Sequence, residues 1–302
     1  MMSTYARRVA VSIAVAAALT GVAACSGSDS DGGSDPASGD GKGKSGTASR
    51  LSPIAALRSV EKSTGGADSA QVESTTTMGT MMSMKADGTL GWADGLTGNL
   101  TITYTGGTMA DQMRQLGTTS MEARYLPDAY YAKMGDKFAE QSGGKHWIKY
   151  AYDDLARLGG GSGAYMKDQM QNTTPNQSVK LLLASGDVKK VGEEKVRGED
   201  TTHYSGTVDV ADLAGQSSNL SADQLADLKR QLQQAGVTTE TIDIWVNDDD
   251  LLVKKTEKGE LATGSMSSTA YYSDYGVDVS VEEPAAGDTA DFKDLMQTQP
   301  AG

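Results

Sequence analysis

Few residues in this 302-residue chain could do chemistry. It has two histidines, His146 and His203, and one cysteine, Cys25. A hydrolytic triad needs an imidazole held by an acid beside a nucleophile. No Gly-x-Ser-x-Gly turn with strand and helix flanks accompanies either histidine, so each reads as an ordinary strand residue. Gly159-Gly160-Gly161-Ser162-Gly163 lacks the Lys-Ser/Thr pair of a phosphate loop and reads as a flexible loop. Asp248-Asp249-Asp250 reads as an acidic hairpin turn. Asp29-Ser30-Asp31-Gly32 lacks the terminal Glu of a calcium loop. A single cysteine forms no internal disulfide and no Cys-rich metal site. The expectation is a non-enzyme without metal or cofactor. A net charge of -13 argues against nucleic acid, which needs a basic face. A mean hydropathy of -0.41 excludes a polytopic membrane protein.

Cys25 stands apart because its surroundings form a pattern. Arg7 and Arg8 make a positive start, and sixteen uncharged residues follow from Val9 to Ala24. At about 1.5 Å per residue that stretch falls short of a membrane span, so residues 1–24 read as a signal peptide. Val22-Ala23-Ala24-Cys25 resembles a bacterial lipobox. The resemblance implies cleavage between Ala24 and Cys25, a diacylglycerol on the Cys25 thiol and a further acyl chain, such as palmitate, on its amino group. Two or three chains anchor stably where one does not. The membrane is then the partner, through lipidated Cys25, and the location is the outer face of the cytoplasmic membrane. Residues 26–50 hold seven Gly, seven Ser and four Asp and no large apolar side chain. With Cys25 they read as a disordered tether, 25–50, reaching about 25–30 Å.

The elements that position any site begin near Leu51. Ser52 and Pro53 suit an N-cap and first helical turn, Ile54, Leu57 and Val60 follow at helical spacing, and Gly65-Gly66 ends the helix. Residues 69–150 read as strands broken by turns, with Leu100, Ile102 and Tyr104 alternating with threonines. Thr174-Pro175-Asn176-Gln177 has capping-box spacing ahead of Val179, Leu182 and Leu183, and Gly186 is placed to stop that helix. A third helix is expected from Ser221 to Gly236, with Leu225, Leu228 and Leu232 on one face. Strands resume: Ile242, Ile244 and Val246 alternate, Leu251 to Thr256 answers, and Met266 to Tyr272 and Val277 to Val281 finish the sheet. Residues 51–285 read as one α+β domain, a large curved antiparallel sheet with helices on one face. Residues 286–302 read as a loose tail.

This order and several local phrases resemble actinobacterial lipoproteins of the LppX/LprA/LprF/LprG type. The phrases are Ile54 to Thr64, Pro175 to Leu183, Gly198 to Val208, Ile244-Trp245-Val246 with Leu252 to Lys255, and Tyr275 to Val279 before Pro284. The resemblance implies a LolA/LolB-like half-barrel closed by helices on its concave face, with an apolar cavity that takes acyl chains. The expected function is binding or carrying a lipid in that cavity. The alternative is a non-enzymatic interaction or signalling-accessory lipoprotein of the cell envelope with a filled core. Met82, Tyr104, Leu182, Leu225, Leu228, Ile244 and Val246 are the expected cavity residues. Flexible thioethers such as Met82 suit an adaptable pocket as well as a core.

Overall fold

Period-two alternation of apolar side chains over most of residues 69–273 builds one sheet, because it gives each strand one buried face. The computed structural model describes residues 52–158, 167, 170–171, 174–209, 239–261 and 264–298. Cys25, Ala24, Leu225 and Leu228 therefore lie outside the described residues, as does the expected third helix.

Helix α1 (Pro53–Gly65) starts as its sequence requires. The Ser52 hydroxyl accepts from the Ala55 amide, Pro53 occupies the first turn, and the Gly66 amide donates to the Lys62 carbonyl. The strands are β1 (Ser69–Met78), β2 (Met82–Gly91), β3 (Thr97–Gly106), β4 (Ser120–Tyr125), β5 (Ala129–Lys133) and β6 (Trp147–Ala151), then β7 (Lys189–Val196), β8 (Glu199–Asp209), β9 (Thr239–Val246), β10 (Leu252–Leu261), β11 (Gly264–Ser273) and β12 (Thr289–Asp291). Helices α2 (Gly107–Gln115), α3 (Asp136–Gln141), α4 (Tyr152–Leu158), α5 (Pro175–Ser185) and α6 (Phe292–Thr298) are set between and after them.

Among the described residues the strands form one open sheet in the order β12-β6-β5-β4-β3-β2-β1-β11-β10-β9-β8-β7. Every pairing is antiparallel except the parallel β12–β6 pair at one edge. The β1–β11 ladder joins the early and late halves of the chain in mid-sheet, with Val72 opposite Tyr272. Helix α5 lies over β8, β9 and β10 and against α1, while α2 lies over β2 and β3. Leu57 and Val60 of α1, Met113 of α2, and Val179, Leu181 and Leu182 of α5 join one cluster with Leu100, Ile102, Ile148, Ile242 and Ile244 of the sheet. The α+β sheet with helices on one face is thus the observed fold. Each fully buried Leu or Ile here contributes roughly 1.5–3 kcal/mol by leaving water. Among the described residues no helix is long and apolar enough to cross a membrane.

Three local features differ from the sequence expectation. Val277 to Val281 joins no ladder. That stretch runs as a strap across the outer face, where the Ser280 and Glu282 carbonyls accept from Asn99 and Arg124 and the Glu283 carboxylate meets Lys149 at 3.3 Å. Residues 286–298 form defined elements rather than a loose tail. Thr289 to Asp291 pairs with Trp147 to Lys149, and Phe292 packs on Tyr150 with ring centroids 4.8 Å apart. Leu295 packs on the main cluster beside Phe292, and Asp288 binds His146; these are tertiary contacts that the segment's composition does not show. Finally, the Thr174 side chain makes no capping bond to α5, although Pro175 and the left-handed Gly186 bound the helix as expected.

Candidate functional site

The inner face of the sheet, under α1, α2 and α5, has two halves of different chemistry. Of the expected cavity residues that are described, Tyr104 lies in the first half, Leu182, Ile244 and Val246 at the second, and Met82 on a strand between them. Leu182 on α5 and Ile244 on β9 are fully buried, Val246 nearly so, and all three share the main cluster. Tyr104 on β3 is half-buried and packs against the same cluster. Met82 is buried at the start of β2 but is not among that cluster's residues. Helix α5 can come this close because Gly206 sits beneath its end. A Cβ there would lie 2.1 Å from the Asp187 carbonyl oxygen and 2.9 Å from Leu182 Cδ2.

The first half, on β3 to β6, is aromatic. Tyr125 and Tyr130 have centroids 5.0 Å apart, Tyr130 and Tyr150 5.7 Å, and Phe292 of α6 continues the row beyond Tyr150. Such tilted contacts add to the burial each ring already supplies. Burial pushes the Tyr125 phenol up to about 12 and raises Tyr104, Tyr130, Tyr150 and Tyr152 as well. All are neutral hydroxyls in the physiological range. The Tyr152 hydroxyl is buried without a hydrogen-bond partner.

The second half, on β9 and β10, is ionic. Lys255 Nζ donates to Glu257 Oε1 at 2.8 Å and to Ser178 Oγ of α5 at 2.8 Å, and Ser178 Oγ donates to Glu257 Oε1 at 2.6 Å. Burial alone would push Lys255 down, but the Glu257 carboxylate overrides it and holds the ammonium charged. Glu240, on the same face of β9, is 2% exposed, and its Oε1 has no hydrogen-bond partner. Burial, reinforced by Glu257, raises its carboxyl to about 9.

Sequence reading found none of this ionic group, although part of it was legible. Glu240 continues the period of Ile242, Ile244 and Val246 toward the buried side. Lys255 and Glu257 were hidden by a bulge. Leu252 pairs with Val246 and Lys254 with Trp245, so Val253 is the extra residue and the odd-numbered side chains beyond it turn inward.

The histidines sit elsewhere. His203 Nε2 lies 2.9 Å from Asp243 Oδ1 and its ring stacks on Trp245 at 4.2 Å. His146 Nδ1 lies 2.7 Å from Asp288 Oδ1. Among the described residues no hydrogen bond joins either imidazole to a serine, threonine or cysteine, and no group of three His, Cys, Asp or Glu could hold a metal ion.

No family model matches the chain. A crystal structure of the Mycobacterium tuberculosis lipoprotein LppX is similar at 17% identity and a TM-score of 0.47, over 76% of this chain and 98% of that one. A Streptomyces griseus protein, described as an uncharacterized 31.2 kDa protein, is 64% identical over 82% of both chains. A Streptomyces coelicolor protein, provisionally named a lipoprotein, is 55% identical over 99% of both. With that identity running through essentially the whole of its length, the chain belongs to the family of these two Streptomyces proteins.

Proposed function

We propose that this protein is a lipid-anchored extracytoplasmic lipoprotein whose sheet-and-helix interior binds the acyl part of a lipid or similar amphiphile. The observation that carries this reading is the inner face, where aliphatic, thioether and tyrosine side chains form one cluster between sheet and helices. Met84, Met113, Met121, Met134 and Met170 all belong to or pack on it. Unbranched thioethers adjust to a chain of variable shape at small energetic cost. Tyr104, Leu182, Ile244 and Val246 are the acyl contacts in this reading, with Met82, Leu225 and Leu228 added on sequence pattern. Binding is by burial and needs no covalent step.

Anchoring rests on Cys25. Removing residues 1–24 takes two arginines and no acids, leaving 25 basic against 40 acidic residues, or -15. A surface so acidic is repelled by anionic headgroups, so attachment falls to the acyl chains on Cys25. The provisional name of the Streptomyces coelicolor relative supports the same reading.

The test uses the full chain in a Streptomyces host. Wild type is expected in the membrane fraction and Cys25→Ala in the soluble extracytoplasmic fraction; membrane retention of the variant would contradict the anchor. Native mass spectrometry of the released variant should show added lipid mass, or uptake of an offered oleoyl probe. A chain that carries none and takes up none is the filled-core interaction protein instead.

A further inference from the structure

The ionic half of the inner face holds one carboxyl more than its internal charges require. Across β9 and β10, Ile244 is opposite Lys255, Ile242 is opposite Glu257 and Glu240 is opposite Gly259. Lys255 and Glu257 neutralise each other, and Ser178 of α5 completes their hydrogen bonds. Glu240 is left over. Its side chain is buried, its Oε1 is unpartnered, and among the described residues no cation stands within ion-pair distance of it. Across the ladder, Gly259 presents no side chain; a Cβ there would make only ordinary contacts, the nearest 3.4 Å away.

Burying a carboxyl without a partner costs several kcal/mol on transfer scales, and nearly all buried polar atoms in folded proteins are paired. An aliphatic residue at position 240 would match the Ile242 and Ile244 side of the strand without that cost. The Glu240 Oε1 is thus a buried polar atom that a group entering the interior could pair with.

We infer that Glu240, backed by the Ser178–Lys255–Glu257 cluster, is an internal subsite for an uncharged hydroxyl-bearing headgroup of the bound amphiphile. This rests on the acyl-binding reading of the same interior and adds the headgroup's chemistry. The neighbouring Glu257 carboxylate and the burial keep the Glu240 carboxyl protonated. A protonated carboxyl offers one O–H and one carbonyl oxygen, and an alcohol is both acceptor and donor, so the two match. An ammonium headgroup would first have to expel the Glu240 proton. An anionic headgroup would face Glu257, with Lys255 already engaged.

The test uses the full chain carrying Cys25→Ala and three probes that share an oleoyl or oleyl chain: monooleoylglycerol, methyl oleate and oleylamine. Dissociation constants are measured for this protein and for Glu240→Leu and Glu240→Gln added to it, with circular dichroism to establish folding. One well-made buried hydrogen bond corresponds to about a tenfold change in affinity. Monooleoylglycerol should bind about tenfold more tightly than methyl oleate. Glu240→Leu should abolish that preference, so that the two esters bind equally. Glu240→Gln, which keeps a donor and an acceptor, should retain most of it. Equal binding of the two esters, a preference that survives Glu240→Leu, or tighter binding of oleylamine overturns the subsite and leaves acyl binding standing. If no probe binds, acyl binding itself falls and the subsite with it.

Discussion

The two halves of the inner face bury polar atoms by opposite means. On β3 to β6 the polar groups are phenols, neutral and each carried on a large apolar ring. On β9 and β10 they are an ammonium and two carboxyls packed beneath α5. A buried phenol that lacks a partner leaves only a neutral hydroxyl unpaired. A buried charge that loses its partner forfeits far more, since nothing else in the interior solvates it. The aromatic half should therefore tolerate change and the ionic half should not, although both lie on the inner face.

The sharpest way to break that contrast is Lys255→Ala. It leaves Glu257 and Glu240 buried beside each other with no cation on the inner face of β9 and β10. The expected loss is about 3–5 kcal/mol, read from urea unfolding. A loss below about 1 kcal/mol would mean that water already reaches the ionic half. Leu182→Ala comes next and bears on whether the interior is open. In a filled core this truncation loses transfer energy and leaves a void, whereas beside an existing space it loses mainly the first. The acyl-binding reading expects a loss near the lower end, about 2–3 kcal/mol, and partial recovery when an oleoyl ligand is present. A loss near 5 kcal/mol with no ligand rescue favours the filled core.

For Glu240 the pH dependence has a definite sign. Its carboxyl titrates near 4.5 when unfolded and about 9 when folded, so the folded state holds the proton more tightly. That contribution is fully present below about pH 4.5 and is lost as pH rises through about 9. Lys255 and Glu257 of β10 are the charges that face it, the first opposing and the second reinforcing the shift. Between about pH 5 and 9, wild type should lose stability progressively relative to Glu240→Gln, and below about pH 4.5 the difference should be constant. Parallel stability–pH curves for the two proteins would show that Glu240 is ionised throughout.

The strands were far more legible in the sequence than the site. Alternation at Leu100, Ile102 and Tyr104, and again at Ile242, Ile244 and Val246, gives both strand type and inward face directly. Ser52, Pro53 and Gly66 likewise mark α1 through chemistry that is local to a few residues. Three things escaped, each set by tertiary context. The bulge at Val253 reverses the inward side of β10 and leaves no local signature. Val277 to Val281 alternates like a strand, yet it begins a strap that runs on through Glu282 and Glu283 over the outer face of β3 to β6, held by Asn99, Arg124 and Lys149 side chains. The pairing of Ser178 with Lys255 and Glu257 joins residues 77 and 79 positions apart, which no local pattern encodes.

The smallest expected effect tests the aromatic half on its own terms. Tyr152 opens α4, and its hydroxyl is buried without a hydrogen-bond partner. Tyr152→Phe removes that oxygen and keeps the ring, so nothing newly unpaired remains. Stability should be unchanged or rise by less than about 1 kcal/mol. The analogous change in the ionic half, Glu240→Leu, removes a carboxyl whose Oε1 has no partner and should stabilise the empty protein by more, because a carboxyl is costlier to bury than a phenol. If Tyr152→Phe destabilises by more than about 1 kcal/mol, the hydroxyl has a partner in solution. The aromatic half would then be a hydrogen-bonded network like its neighbour, and the contrast between the halves would reduce to charge alone.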